Sequence, residues 1–194
     1  MRLVNVTPAS SDLIPLAELR TFLRVPTEAD AEIEEIMREA VQHLDGRDGY
    51  LGRALMTQTW EARLDDFPGA ARIELPLPPL QSVDSIIYTD GQGAEQTFDA
   101  ANWTAYGVGD RAPGGVALLQ DAHWPIAKNT PEAVRIQFTA GYGANSADVP
   151  APIRSAVKML VAAAYEQREG YSVDYEVQAN PALMDRLGPF VVYR

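Results

Sequence analysis

Residues 72–83 read RIELPLPPLQSV, a segment that begins with the alternation of a β-strand and then runs into three prolines. Its hydrophobic residues recur at every second position: Ile73, Leu75 and Leu77. Residues i and i+2 of a strand direct their N–H groups to the same edge, so Pro76 and Pro78 remove hydrogen-bond donors from one edge only. The segment therefore predicts an edge strand that is closed to further pairing along its Pro76 and Pro78 side.

The same letters contain a PxxP pattern between Pro76 and Pro79, which is typical of polyproline II docking peptides. Such peptides carry a basic residue at a fixed offset, but Ile73 and Gln81 occupy the two positions where it would stand. The edge-strand interpretation is therefore favoured over the docking peptide.

On both sides of this segment the sequence predicts further short strands. Alternating or β-rich runs occupy residues 57–65, 73–77, 83–88, 94–98, 102–106, 115–119 and 132–140. Asp90-Gly91, between two of these runs, is a strong hairpin signal. In the last run Val134, Ile136 and Phe138 share one face. Many short strands separated by turns indicate an antiparallel sheet or sandwich.

Helical periodicity dominates the two ends of the chain. Residues 15–25 predict a first helix, and Thr27, with Asp30 three residues on, predicts an N-cap for a second. The second helix has hydrophobic residues at helical spacing: Ile33, Ile36, Met37, Ala40, Val41 and Leu44. A long helix is predicted over residues 150–169 and a short one over residues 181–187.

These elements predict an α+β fold in which a helical core, made of the N-terminal helices and one long C-terminal helix, carries an antiparallel β insertion. The predicted segments are the N-terminal helices (residues 1–54), the β-rich insertion (55–145), the long core helix (146–170) and a C-terminal tail (171–194). We expect them to form one structural domain.

The composition argues against several kinds of chemistry. The 194 residues include no cysteine, and 27 acidic against 16 basic residues leave a net charge of −11. Because phosphate binding needs clustered Lys and Arg, specific DNA binding is not expected. His43 and His123 are far apart in the sequence, and no phosphate-binding loop or nucleophile motif accompanies them. We therefore predict no catalytic, cofactor or metal site and no enzymatic activity.

Three patterns, in this order along the chain, resemble one protein family. They are LAELRTFLRVPTEAD with the helix that follows it, IELPLPPLQSVDSIIYTDGQG, and VRIQFTAGYG followed by VPAPIRSAVKML. Together they resemble, over roughly residues 14–170, the head–tail connector (adaptor) proteins of long-tailed bacteriophages and of phage-derived gene transfer agents. The tail matches less well, because it ends in RLGPFVVYR where family members often end in a short Leu-rich helix and PYR.

The resemblance implies a non-enzymatic structural protein at the head–tail junction of a virion or phage-like particle, synthesised in the bacterial cytoplasm. It implies a ring, typically dodecameric, that sits on the portal protein, extends the DNA channel and receives the stopper or tail-completion protein. DNA is expected to pass through the ring without specific binding, which agrees with the acidic balance of the chain.

Two sets of residues are candidates for assembly contacts. Ring subunits need heterologous interfaces, and the acidic second helix together with the basic residues of the long helix suggests one. The residues predicted at this ring interface are Ile33, Glu34, Arg154, Lys158 and Arg168. The apolar tail either orders on a partner, through Leu187, Phe190 and Tyr193, or packs back on its own domain, and both alternatives stay open.

A different class of function is also compatible with the sequence. A small, non-enzymatic β-rich module could bind a ligand or peptide through the aromatic residues Trp60, Trp103, Tyr106 and Trp124. This alternative predicts an exposed aromatic patch, whereas aromatic residues of short strands more often lie in a core.

Overall fold

The computed structural model describes residues 1–9, 12–167 and 172–193. The chain folds into two units, each formed by two separate stretches of sequence. Residues Met1–Ser10 and Thr57–Gly141 form a β-rich unit, and residues Ser11–Met56 and Tyr142–Arg194 form a helical unit. The predicted β-rich segment, 55–145, coincides with the middle stretch to within a few residues but lacks the contribution of the N-terminus.

The described residues of the β-rich unit form two antiparallel sheets. The strands are β1 (Arg2–Thr7), β2 (Gln58–Leu64), β3 (Arg72–Glu74), β4 (Leu80–Thr89), β5 (Glu95–Thr97), β6 (Trp103–Tyr106), β7 (Gly115–Leu118) and β8 (Val134–Ala140). The larger sheet has the order β1-β2-β8-β4-β5 and the smaller one the order β3-β7-β6. Each predicted run overlaps one of these strands, and β4 and β5 form the hairpin predicted around Asp90-Gly91.

The buried face of the larger sheet follows from the alternation in β8. Four residues of this strand are fully buried: Val134, Ile136, Phe138 and Ala140. The residues between them are half-buried, and β8 pairs with β2 on one side and with β4 on the other. A central strand with one face in the core shows the hydrophobic alternation of period two most clearly, so the prediction for β8 is confirmed.

The proline-rich stretch after β3 is a buried crossing between the two sheets. β3 ends at Glu74, and Leu77 has a φ of 68°, which takes the backbone out of the extended region. Leu77, Pro78 and Pro79 are buried, and the chain then enters β4 in the other sheet. Buried N–H groups need acceptors, and proline has no N–H group, so prolines suit such a crossing. The predicted strand is therefore wrong beyond Glu74.

The edge argument applies to Pro76 alone. β3 is an outer strand of the smaller sheet, and the Leu75 N–H donates to the Gly114 carbonyl, on the β7 side, at 2.8 Å. The next residue, Pro76, therefore belongs to the open edge, where it removes a donor. Pro78 follows the positive φ of Leu77 and lies outside the strand direction. Closure of the edge by Pro76 stays a prediction.

The helical unit consists, in its described residues, of five helices. They are α1 (Leu16–Leu23), α2 (Asp30–Leu44), α3 (Ala151–Glu166), α4 (Val173–Ala179) and α5 (Pro181–Leu187). The predicted stripes of α2 and α3 meet in its core, which includes these fully buried residues: Leu19, Ile33, Leu44, Ile153, Val157, Leu160 and Leu187. The four predicted helices are confirmed in position, whereas α4 was not predicted.

The start of α2 differs from the predicted N-cap. Thr27 begins a 3-10 turn, Thr27–Ala29, and α2 starts at Asp30 without a side-chain cap. The Ala29 N–H donates to the Pro26 carbonyl at 3.3 Å, so a backbone acceptor replaces the threonine hydroxyl. Asp30 pairs with Arg20 of α1 at 3.4 Å instead of closing a capping box.

The strand β1 was not predicted within residues 1–54, the segment of the predicted N-terminal helices. It pairs antiparallel with β2 at the edge of the larger sheet, and most of its residues are exposed. The mixed α+β class is confirmed. The description as a helical core with one β insertion holds only in part, because the N-terminal segment belongs to the β-rich unit.

Candidate functional site: assembly surfaces

Lys158 of α3 is engaged inside its own helical unit. Its ammonium group donates to the Glu18 carboxylate of α1 and lies 5.9 Å from the ring centroid of Phe22. The charge of Lys158 is therefore compensated within the subunit. Lys158, a residue predicted at the ring interface, therefore has a partner within its own subunit, and this ion pair connects α3 to α1.

Arg154 stands one turn before Lys158 on α3 and has no comparable partner. Its Nε atom is buried without a hydrogen-bond acceptor, and no ion pair engages its guanidinium among the described residues. It also lies in the first turn of α3, where the helix dipole disfavours a cation. Lys158 and Arg154, which were predicted together at the ring interface, therefore differ: Lys158 has an ion pair within its subunit, whereas Arg154 has none among the described residues.

The predicted interface residues of α2 also separate. Ile33 is fully buried in the core of its own unit, because it lies on the stripe that faces α3, so it is removed from the predicted ring interface. Glu34 is half-buried beside that stripe, whereas Glu35 and Glu39 are exposed. Among the described residues, no hydrogen bond or ion pair engages the carboxylates of Glu35 and Glu39. Arg168 lies outside the described residues.

Most of the described tail packs on the helical unit. Leu187 is fully buried and Phe190 is 4% exposed, whereas Tyr193 is 87% exposed. The Val192 N–H donates to the Leu51 carbonyl at 3.0 Å. Of the two alternatives for the tail, packing back describes Leu187 and Phe190 in this structure. Partner binding stays a prediction, and Tyr193 is the residue available for it.

Arg53 is the buried charge that holds this tail. Its Nε donates to the Phe190 carbonyl at 2.6 Å, and its guanidinium donates to the Tyr142 hydroxyl at 2.8 Å. The residue is 2% exposed and lies 5.9 Å from the Tyr142 ring centroid. Sequence analysis missed Arg53, although an arginine within the run YLGRALM was an available signal, since a charge in an apolar run needs buried partners.

A chain of ion pairs joins β1 and β2 to the loop before β8. Glu132 accepts from Arg63 at 2.8 Å and from Arg2 at 2.7 Å, and Arg63 also donates to Glu61 at 2.6 Å. Hydrogen bonds from Arg63 and then Arg2 hold the pKa of Glu132 below its usual value. The hydrogen bonds to Glu132 and then Glu61 raise the pKa of Arg63. These four charges compensate one another within the β-rich unit.

Trp124, which the alternative function requires, is used in packing. Its ring stacks on Phe67 at a centroid distance of 5.1 Å, and its indole N–H donates to the Ala70 carbonyl at 2.8 Å. It borders a cleft of about 380 Å³ that is otherwise lined by small and polar residues and two leucines: Gly69, Ala70, Ala71, Leu118, Leu119, Asp121, Ala122 and His123. Trp124 therefore forms a wall of the β-rich unit and not an open aromatic platform.

Trp60, Trp103 and Tyr106 are likewise half-buried. Trp60 belongs to the larger sheet and its indole nitrogen is buried, whereas Trp103 and Tyr106 belong to β6 of the smaller one. The Trp103 N–H donates to the Phe98 carbonyl at 3.4 Å, and the Arg72 guanidinium lies 5.5 Å from the Tyr106 ring centroid. The aromatic residues are distributed over two sheets and serve packing, which does not favour the ligand-binding module.

The histidines do not assemble with other ligating groups. His43 and His123 are both exposed. In the part of the chain that the structure describes, no group of three or more His, Cys, Asp or Glu side chains could hold a metal ion. None of the described helices is long and apolar enough to cross a membrane.

Over its whole length, the chain is similar to a component of gene transfer agent (GTA) particles. It matches a chain from the virion of a native GTA particle with 26% identity and a TM-score of 0.80, covering 100% of this chain and 97% of the other. It also matches a chain from the neck of the empty particle, computed with sixfold symmetry, with 27% identity and a TM-score of 0.80. A chain from the neck of the native particle, computed with twelvefold symmetry, matches with 26% identity and a TM-score of 0.78. Both matches cover 100% of this chain and 97% of the other. No protein-family model and no curated protein matches the chain. The likeness supports a phage-derived structural protein.

Proposed function

We propose that the protein is a head–tail adaptor, a ring subunit that sits on the portal in the neck of a phage-like particle and joins the capsid to the stopper and tail. The observation that carries this proposal is the full-length likeness, at a TM-score of 0.80, to chains of the GTA virion and neck. The sixfold and twelvefold symmetries of the neck structures support a ring. The ordered sequence patterns that resemble adaptor proteins indicate the same role.

The charge of the chain suits a channel wall past which DNA moves. The net charge is −11, with 16 basic residues dispersed among 27 acidic ones. A surface without clustered cations makes few simultaneous contacts with phosphates, so a passing duplex is not held. The ring that we propose extends the DNA channel of the portal, lets the duplex pass without holding it, and performs no chemistry on the DNA.

Co-expression with the portal protein from the same gene cluster tests the proposal. Negative-stain microscopy of the purified complex should show rings of this chain stacked on the portal, with the twelvefold symmetry found for the neck of the similar particle. A portal from an unrelated phage is the control and should remain bare. Absence of the chain from the cognate portal would refute the adaptor role. Because the ring is expected to form on the portal, a monomeric isolated chain is compatible with it.

A further inference from the structure

We propose that Arg154 is a contact between neighbouring copies in the ring, where its guanidinium binds carboxylates on α2 of the next subunit. The inference rests on the proposed ring function and names side chains that join its subunits. Arg154 contributes the cation from one subunit, and the exposed Glu35 and Glu39 contribute the carboxylates from the other.

Arg154 has an unmet hydrogen-bonding requirement in the single subunit. Its Nε atom is buried and has no acceptor, and the described residues offer its guanidinium no ion pair. A buried charged donor without an acceptor is destabilising, and the position in the first turn of α3 adds an unfavourable interaction with the helix dipole. Arg154 as a whole is half-buried, so an anion from outside the subunit can approach its guanidinium and compensate the charge, while the Nε atom itself stays enclosed.

Two carboxylates beside α3 are already engaged with other groups. Glu18 accepts from Lys158, one turn further along the helix. Asp148, which precedes α3, accepts from the Asn145 backbone N–H at 2.9 Å and from the Asn145 side chain at 3.3 Å. Neither of these two carboxylates accepts a hydrogen bond from Arg154 Nε, which points to an acceptor on a second molecule.

The exposed face of α2 presents suitable carboxylates. Glu35 and Glu39 are one turn apart on the side opposite the buried stripe, and both are without a partner among the described residues. In a ring, each subunit presents one face to one neighbour and a different face to the other, so a cation on α3 and carboxylates on α2 satisfy the heterologous geometry. The planar guanidinium can donate two parallel N–H hydrogen bonds to the oxygens of such a carboxylate.

A DNA phosphate is the competing anion, and the charge distribution disfavours it. DNA binding depends on several clustered cations. Lys158, the basic neighbour of Arg154 on α3, is already paired with Glu18, and the whole chain carries a net charge of −11. A single arginine in such surroundings favours the carboxylate of a second copy.

Arg154→Met separates a contact between subunits from a role within one subunit, because the two predict opposite changes. Because Arg154 has a buried Nε without an acceptor and no ion pair among the described residues of its own subunit, its removal should leave the thermal midpoint of the isolated subunit unchanged or raised. Ring formation on the portal should nevertheless weaken by about tenfold or more. If the thermal midpoint falls, and ring formation weakens no more than the loss of folded subunit explains, Arg154 serves the fold of its own subunit and the proposal is overturned. Lys128→Met, at an exposed lysine of the β-rich unit, is the matched control and should change neither quantity.

Charge reversal identifies the partner group. Arg154→Glu should prevent rings, and the addition of Glu35→Arg and Glu39→Arg should restore them on the portal. Normal rings with Arg154→Glu, or no restoration by the triple variant, would overturn the assignment. Rings that assemble normally but retain DNA differently would assign Arg154 to a phosphate and would also overturn it. If the wild-type chain forms no ring on its portal, the proposed function itself fails, and that result is seen before any variant is compared.

Discussion

Replacing Arg53 by methionine should release the described tail and destabilise the helical unit. The substitution keeps an unbranched side chain of similar length but removes the donors to the Phe190 carbonyl, at 2.6 Å, and to the Tyr142 hydroxyl, at 2.8 Å. The methionine thioether donates no hydrogen bond, so it replaces neither of these two hydrogen bonds. The variant therefore tests whether one buried charge connects the tail to the rest of the unit.

The magnitude follows from opposing contributions. A hydrogen bond from a charged donor contributes about 1.5–3 kcal/mol, and loss of the donor leaves a buried acceptor unpaired. Removing the charge also removes the desolvation cost of a guanidinium that is 2% exposed, which offsets part of the loss. Two lost hydrogen bonds with this offset give an expected decrease of about 2–4 kcal/mol in the free energy of unfolding.

Hydrogen exchange distinguishes release of the tail from general loosening. Amides of residues 187–193, including the Val192 N–H that donates to the Leu51 carbonyl, should exchange about tenfold faster or more, while the amides of β8 keep their protection. Arg38→Met, at an exposed position of α2, is the matched control and should change the free energy of unfolding by less than about 0.5 kcal/mol. If Arg53→Met stays within that same limit and the tail amides keep wild-type protection, the reasoning about Arg53 is refuted.

Three further predictions address the core, the ion pairs and the smaller sheet. Ile33→Ala should cost about 2–4 kcal/mol in chemical denaturation because it empties a fully buried site, whereas Glu34→Ala should cost less than about 0.5 kcal/mol, and similar losses would contradict the burial argument. Because hydrogen bonds hold the folded pKa of Glu132 below its unfolded value, its contribution to stability is complete above the unfolded pKa and is lost as the pH falls through the folded one. The thermal midpoint of Glu132→Gln should therefore fall less steeply than that of the wild type between about pH 5 and about pH 3, and parallel curves would exclude this linkage. Gly115→Ala should disrupt the pairing of β7 with β3, since a Cβ there would lie 2.1 Å from a facing carbonyl oxygen, while Gly91→Ala meets nothing within 4 Å and should leave the thermal midpoint unchanged.

The elements with the clearest sequence signal are those in which burial imposes a period. β8 alternates between buried and half-buried residues, and α2 buries residues at helical spacing, so both patterns are written directly in the hydrophobic residues. β1 was missed because it is an edge strand with mostly exposed residues, and α4 because a helix of seven residues covers only two turns. The place of the N-terminus in the β-rich unit follows from the pairing of β1 with β2, which is a long-range contact without a local signal.

The proline-rich stretch shows how one local rule can be applied to the wrong context. Counting the N–H groups on each edge assumed an extended backbone as far as Pro78, but the positive φ of Leu77 ends that geometry. The residue pattern itself, in which buried Leu75 and Leu77 alternate with Pro76 and Pro78, is equally suited to a buried connection in which missing donors are an advantage. The positive φ of Leu77 and the position of β4 in the other sheet distinguish the two interpretations.

The assembly residues illustrate a second limit of sequence analysis. Arg154 and Lys158 are equivalent in the sequence, one turn apart on the same helix, and only the position of Glu18 on α1 separates a paired cation from an unpaired one. Ile33 was predicted at the ring interface, but it lies on the hydrophobic stripe of α2 and is fully buried in the core of its own unit. In each case, contacts between secondary-structure elements determine whether a side chain is used within its own subunit, and hydrophobic periodicity does not specify such contacts.

The packing of the tail limits what it can contribute to a partner. Burial of Leu187 and Phe190 already stabilises the helical unit, by about 1.5–3 kcal/mol for each side chain. A partner that took up these side chains would first have to remove them from the core and break the hydrogen bond from Arg53 to the Phe190 carbonyl. Binding would then gain only the difference between two buried states. Tyr193 is exposed and can be buried by a partner without this cost, so a tail contact made in this conformation centres on that residue.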